Sequence, residues 1–136
     1  MCVMDKPTFH LERFLEAQKD MYPVALKEIR NGGKRSHWIW YIFPQQKGLG
    51  YSYNSTYYGL DGEAEARAYL AHPVLGARLR EITRALLVHR GHRTVRQLMG
   101  SDIDVLKLRS SMELFDRVSP GEVFGEVLRA YFADVR

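Results

Sequence analysis

The stretch 104–111 combines an acid, an amine and a hydroxyl at helical spacing. Asp104, Lys107 and Ser111 follow one another at intervals of three and four residues, so a helix would place them along one face. There the ammonium group could attract an anion and the hydroxyl could donate a hydrogen bond to it. Alternatively, Asp104 and Lys107 form an ion pair and Ser111 bonds back to the helix or to a loop. Both interpretations, a polar site and a structural network, stay open from the sequence.

A second group of candidates lies in residues 36–46, which hold two indoles, an imidazole and two adjacent amides. Histidine titrates near neutral pH, so His37 is the candidate general acid or base. Lys107 is the candidate that would stabilise developing negative charge. Aromatic faces stack on planar rings, although the same aromatic residues could simply fill the core of a small domain. The ligand-binding candidates are Trp38, Trp40, Gln45, Gln46, Ser111 and Asp104.

Residues 101–118 are predicted to form the helix that positions the first group. At about 100° per residue, its apolar side chains fall on one arc, and Ile103 widens that arc. The three polar candidates lie among these apolar side chains, where a charge is costly unless it is paired or reaches a cavity. We therefore expect residues 36–60 to fold over the inward side of this helix and to enclose the three polar groups.

Apolar residues recur at helical spacing along most of the chain, which predicts an all-α fold. The length of 136 residues suits one hydrophobic core, so we expect a compact multi-helix single domain over residues 1–136. In residues 8–30, Pro23 is expected to begin a second helix rather than to lie inside one.

Residues 36–60 interrupt the helical pattern as a central aromatic-rich loop excursion, called the aromatic segment below. It holds half of the chain's 16 aromatic residues, and Lys47 is its only formal charge. Over residues 36–43 the periodicity does not distinguish a short helix from an extended run. Residues 45–59 are predicted to form a loop, because Gly and Asn favour turns.

Composition limits the possible location and cofactors. No apolar run approaches the roughly 18 residues of a membrane span, and the N-terminal residues lack the apolar core of a secretory signal. A single cysteine, Cys2, excludes an internal disulfide, and the histidines lack the spacing of metal ligands. We therefore expect a cytoplasmic protein with no metal, no cofactor and no membrane partner.

The net charge of +4 reflects a basic stripe in residues 78–96. The stripe could meet phosphate, but no nucleic-acid-binding motif accompanies it, so nucleic acid is the least favoured partner. The favoured function is binding of a small anionic or nucleotide-like ligand in a polar-aromatic pocket. The alternative is a protein interaction module without catalysis that contacts partners through residues 51–58. The sequence leaves both enzymatic activity and oligomeric state undetermined.

Two motifs make the chain resemble a known family. The first is His-Trp-x-Trp-x-x-Phe-Pro-Gln at residues 37–45, and the second is Lys-x-x-Ser-Ser-Met at residues 107–112. With them, the chain resembles over nearly its whole length a family of small bacterial, mainly helical proteins that carry a domain of unknown function. Some members of that family are labelled calpastatin, but this chain lacks the disordered repeats of such an inhibitor. The resemblance implies a single helical domain and no established activity.

Overall fold

The computed structural model describes residues 9–48 and 50–133, and in them the chain forms eight helices and no strand. The predicted all-α fold is confirmed. Cys2 and the rest of the N-terminal stretch lie outside the described residues. The helices are α1 (Glu12–Arg30), α2 (Ile39–Ile42), α3 (Tyr53–Tyr57), α4 (Gly62–Ala71), α5 (Leu75–Val88), α6 (Val95–Met99), α7 (Asp102–Val118) and α8 (Val123–Phe132).

The longer helices enclose one core. α5 packs against α1, α4 and α8, while α7 packs against α4, α6 and α8. Each of these helices buries one apolar side and leaves the other to solvent. The largest fully buried side chains of α1, α4, α5, α7 and α8 include Phe14, Tyr69, Leu79, Phe115 and Phe124.

Pro23 lies inside α1, so the prediction that it begins a new helix is wrong. The proline is exposed, and its ring can face solvent without disturbing the core. Tyr22, Ala25 and Ile29 continue one buried stripe across the position. Tertiary packing of this stripe keeps the helix continuous, although an interior proline costs about 3 kcal/mol.

The aromatic segment contains two short helices instead of one loop. Residues 39–42 form α2, which settles the ambiguity left by the periodicity, and α3 interrupts the loop predicted over residues 45–59. Ser52 begins α3 by accepting a hydrogen bond from the amide of Ser55 at 3.1 Å. A serine in this capping position satisfies one of the free amides at the start of a helix.

A short backbone bridge joins the two ends of the stretch 45–60. The Lys47 amide donates to the Leu60 carbonyl at 2.8 Å, and the Leu60 amide donates to the Gln45 carbonyl at 2.8 Å. Backbone polar groups are thereby satisfied without a sheet. The bridge also brings the residues that follow α2 next to those that follow α3.

A buried ion pair fastens the aromatic segment to α1 and α4. Arg13 Nη1 lies 2.8 Å from Glu65 Oε2, and the two side chains are 7% and 3% exposed. The guanidinium also donates to the carbonyls of Tyr57 at 2.8 Å and Gly59 at 3.1 Å. Glu65 Oε1 accepts a hydrogen bond from the Asp61 amide at 2.7 Å. Both charges are therefore paired and hydrogen-bonded, as burial requires.

Gly76 permits the close approach of α4 and α5. A Cβ atom at this position would lie 2.2 Å from the carbonyl oxygen of Leu70, so any side chain must push the two helices apart. We expect Gly76→Ala to destabilise the protein by about 1–3 kcal/mol despite the better helix propensity of alanine. Chemical denaturation measures the change, and Ala77→Ser at the exposed neighbour should stay within about 0.5 kcal/mol of the wild type. Equal stability of Gly76→Ala and the wild type would contradict this packing.

Candidate functional site

A cavity of about 420 Å³ lies between the aromatic segment and α7. Its volume falls within the range of about 300–1,000 Å³ that small-molecule sites occupy. The expected contact between the segment and this helix is therefore present. The lining residues are Trp40, Gln45, Gln46, Gly50, Ser55, Tyr58 and Gly59 from the segment, and Ile103, Leu106, Lys107, Arg109 and Ser110 from α7.

α7 presents a different face to the cavity from the one that the sequence predicted. Ile103, Leu106 and Ser110 follow at intervals of three and four residues and form one stripe along the helix. Ile103 is 65% exposed and Leu106 is 64% exposed, so Ile103 does not widen the buried arc as predicted. The cavity thus lies along a side of α7 that is next to its core-facing side. Lys107 lies at the border between these two sides of the helix.

Lys107 has an aromatic neighbour and a shared countercharge. Its Nζ lies 4.6 Å from the centre of the Trp40 ring and 3.8 Å from Asp104 Oδ1. Asp104 Oδ2 lies nearer to Lys34, whose Nζ is 2.8 Å away. The ion pair of the structural interpretation is present, but a second lysine, which the sequence did not indicate, is the closer partner. Because two ammonium groups share one carboxylate, the charge of Lys107 is only partly compensated.

Trp38 and Trp40 have separate environments. Trp38 is fully buried, and its indole Nε1 donates to Glu28 Oε1 at 2.9 Å. Lys34 Nζ lies 5.2 Å from the centre of its ring. Trp38 therefore belongs to the core and does not line the cavity. The prediction that Trp38 is a ligand-binding residue is wrong for this cavity. Trp40 is half-buried and does line it.

Glu28 holds the chain in place just before α2, a role that no sequence pattern predicted. Its carboxylate accepts hydrogen bonds from the amides of Arg35 (2.8 Å) and Ser36 (3.0 Å). It also accepts from the Ser36 hydroxyl at 2.6 Å and from the Trp38 indole. Burial alone would raise the pKa of Glu28, but these hydrogen bonds outweigh it and lower the pKa to about 2. The carboxylate is therefore charged throughout the neutral range.

The other three predicted site residues do not line the cavity. His37 is exposed, and its carbonyl accepts a 3.5 Å hydrogen bond from the Tyr41 hydroxyl. Ser111 is fully buried, and its hydroxyl has no hydrogen-bond partner among the described residues, so the bond predicted for it by the structural interpretation is not formed. Asp104 lies between the two lysines rather than at the cavity. The geometry therefore brings together Trp40, Gln45, Gln46 and Lys107 from the predicted set.

Arg109, Ser110, Ser55 and Tyr58 also line the cavity. Ser110 belongs to the second motif, and Ser55 and Tyr58 lie in residues 51–58, but none of the four was among the candidate site residues. Arg109 lies towards the solvent-facing side of α7, where its Nε is 3.2 Å from Glu113 Oε2, and the aromatic segment extends to this side of the helix. Burial raises the pKa of Tyr58, and the neighbouring tyrosines Tyr57 and Tyr53 raise it further. Its hydroxyl is thus protonated at neutral pH and can donate a hydrogen bond.

The basic stripe in residues 78–96 finds acidic partners on other elements. Arg80 Nε lies 2.6 Å from Glu122 Oε1, and Arg96 Nε lies 3.1 Å from Asp102 Oδ1. These pairs agree with a solvated face whose countercharges come from elsewhere in the fold. Nucleic acid as the least favoured partner stays a prediction.

The described residues show neither a metal centre nor a membrane span. No group of three or more His, Cys, Asp or Glu side chains in residues 9–48 and 50–133 is arranged to hold a metal ion. Over the same ranges, every helix is too short or too polar to cross a bilayer.

A family model described as Protein of unknown function (DUF1810) matches residues 8–136. The chain belongs to this family. Among solved structures, it is similar to that of the conserved hypothetical protein Rv1873 from Mycobacterium tuberculosis, with 40% sequence identity and a TM-score of 0.87. The match covers 92% of this chain and 89% of that chain. No curated protein matches at a significant level.

In this DUF1810 protein, the two motifs noted in the sequence meet across the cavity. Trp40 and Gln45 from the first motif line one side, and Lys107 and Ser110 from the second line the other. Neither the family model nor the similar solved structure tests the calpastatin label. The cavity thus brings together four residues of the two motifs.

Proposed function

We propose that the cavity binds a small anionic or nucleotide-like ligand. The observation that supports this is the presence of two cations, Lys107 and Arg109, in one cavity with an aromatic ring and two amides. Cations attract an anionic group, and the face of Trp40 offers a surface for a planar part. The amides of Gln45 and Gln46 can donate to or accept from polar edges of the ligand. Binding alone accounts for these features, and no catalytic step is proposed.

Lys107 is the principal anion-binding residue in this proposal. The Trp40 ring, 4.6 Å from its Nζ, holds the ammonium at the edge of the cavity. Its countercharge, Asp104, is engaged more closely by Lys34. An anion that enters the cavity would therefore complete the charge balance of Lys107 without breaking a tight ion pair. Arg109, two residues further along α7, also lines the cavity and would provide a second contact.

Lys107→Gln should weaken the binding of adenosine monophosphate by about 10- to 100-fold, because a hydrogen bond to a charged group contributes about 1.5–3 kcal/mol. Isothermal titration calorimetry measures the change in Kd. Lys19→Gln provides the matched control, since Lys19 is exposed on α1 and does not line the cavity. The proposal fails if wild type, Lys107→Gln and Lys19→Gln bind the nucleotide equally, or if none of them binds it.

The exposed tyrosines favour a second candidate function, a protein interaction module. Tyr51 is 99% exposed and Tyr53 is 75% exposed, and aromatic side chains often anchor interfaces. Tyr53 stacks on Tyr57 with 5.5 Å between ring centres, which orders its ring before any partner binds. In this role the chain would contact a partner through residues 51–58.

Light scattering after size-exclusion chromatography tests self-association through this surface. If the surface joins two copies, the wild type should show a concentration-dependent increase in mass that the double variant Tyr51→Ser/Tyr53→Ser lacks. A wild-type protein that stays monomeric at all concentrations would contradict self-association.

A further inference from the structure

We infer that the anion bound in the cavity carries one anionic group joined to an apolar or aromatic body, such as an alkyl chain or a planar ring. This inference rests on the proposed function and narrows its ligand class. It predicts that inorganic phosphate and polyphosphates are poor ligands, because the first lacks the apolar body and the second carry too much charge.

The apolar wall of the cavity supports the presence of an apolar body in the ligand. Ile103 and Leu106 both line the cavity, yet about two thirds of each side chain is exposed. A single exposed aliphatic residue needs no explanation, but here two lie three residues apart on one face of α7. Trp40 borders the same space from the aromatic segment. A ligand with an apolar body would bury these surfaces, whereas a purely polar ion would leave them in water.

The charged side chains at and next to the cavity support a single anionic group in the ligand. Lys34, Lys107 and Arg109 supply three positive charges, and they are paired with two carboxylates, Asp104 and Glu113. One positive charge therefore lacks a countercharge in this cluster. A ligand with one anionic group supplies the missing charge, whereas a polyphosphate would bring several negative charges against a single excess cation.

The spacing on α7 places the Lys107 side chain next to the apolar wall. Ile103 and Lys107 are one helical turn apart, so their Cβ atoms lie about 5–6 Å from each other. Leu106 directly precedes Lys107. The anionic group and the apolar body would therefore bind side by side on α7.

A homologous series of alkyl phosphates tests this ligand class. Titration calorimetry with ethyl, butyl and hexyl phosphate should show affinity that rises by up to about fourfold per buried methylene. Inorganic phosphate and adenosine triphosphate should bind more weakly than hexyl phosphate. An affinity that does not change with chain length would overturn the inference.

A pair of matched variants ties the effect to the apolar wall. Leu106→Gln should reduce the gain per methylene to less than about twofold, while Val88→Gln should leave it unchanged. Val88 is a suitable control because it is 75% exposed on α5 and does not line the cavity. An unchanged chain-length dependence in Leu106→Gln would overturn the inference.

The remaining outcomes separate this inference from the proposed function. If adenosine monophosphate binds in a Lys107-dependent manner but the alkyl series shows no trend, the proposed function stands and the inference fails. If no anion binds, both fail. If the wild type binds no alkyl phosphate but associates with itself, and Leu106→Gln abolishes the association, the apolar wall is a protein interface and the inference is wrong.

Discussion

Glu65→Ala is expected to lower the free energy of unfolding by about 3–5 kcal/mol, because it leaves a buried guanidinium without its countercharge. Arg13 is only 7% exposed, and Glu65 is its ion-pair partner at 2.8 Å. The variant also removes the acceptor of the Asp61 amide. The loss combines an uncompensated charge with an unsatisfied backbone donor, and both are costly in the interior.

Chemical denaturation of Glu65→Ala measures this loss, and Glu63→Ala is its matched control on the same helix. Glu63 is 42% exposed, and its ion pairs with Arg67 and Arg117 lie at the surface. Such pairs contribute about 0–1 kcal/mol, so the control should remain nearly as stable as the wild type. Similar stability of Glu65→Ala and Glu63→Ala would contradict the structural role given to the buried pair.

Loss of Glu65 should also weaken the binding site indirectly. Arg13 donates to the carbonyls of Tyr57 and Gly59, so the ion pair holds the stretch that carries two cavity-lining residues, Tyr58 and Gly59. A guanidinium without its carboxylate partner is held less firmly against these carbonyls. Ligand affinity should therefore fall in Glu65→Ala even under conditions in which the protein remains folded.

Glu28→Gln is expected to lower the free energy of unfolding by about 1–3 kcal/mol at neutral pH, because neutral hydrogen bonds replace charge-assisted ones. One oxygen, Oε1, accepts from three N–H groups, those of Arg35, Ser36 and Trp38. A glutamine keeps an oxygen in this place, so the substitution removes the charge while it preserves the shape. Glu28→Ala should cost more, since it leaves all these donors without an acceptor.

The effect of Glu28→Gln should depend on pH in a defined direction. The pKa of Glu28 falls from its ordinary 4.5 to about 2 in the folded protein. A lowered pKa means that the carboxylate stabilises the fold fully above pH 4.5 and that this contribution is lost as the pH falls towards 2. The stability difference between wild type and Glu28→Gln should therefore be constant near neutral pH and shrink below pH 4.5.

Urea denaturation at a series of pH values measures this dependence, with Glu16→Gln as the control. Glu16 is exposed on the same helix, so its substitution should change stability by less than about 0.5 kcal/mol. A stability difference for Glu28→Gln that grows as the pH falls would contradict the assignment.

Local sequence signals predicted the helices best where they include both a periodic apolar stripe and a cap. α7 follows the predicted helix closely, and Ser101 caps it by accepting a hydrogen bond from the Asp104 amide at 3.1 Å. Thr94 likewise begins α6 with a reciprocal capping box that involves Gln97. These features depend on neighbours within four residues, so the sequence alone contains the information.

The predictions failed where a residue's environment depends on distant parts of the chain. Periodicity placed Ile103 with the core residues of α7, but it could not show that the aromatic segment covers only one side of the helix, next to its core-facing side. Trp38 and Trp40 are two residues apart, yet Glu28, ten residues before Trp38, draws one indole into the core. The partnership of Lys34 with Asp104 spans a still greater separation. Such contacts arise from tertiary packing, which local patterns do not encode.

The most direct test of the proposed site uses the two indole N–H groups as separate reporters in a ¹H–¹⁵N correlation spectrum. Titration with adenosine monophosphate should shift the Trp40 indole signal, because this ring borders the cavity. The Trp38 signal should stay in place, because its N–H is bonded to Glu28 in the core. Trp38→Phe and Trp40→Phe assign the two signals, and Lys107→Gln should suppress the shift. A Trp40 signal that does not move at saturating nucleotide, or a shift of the Trp38 signal alone, would contradict a binding site in this cavity.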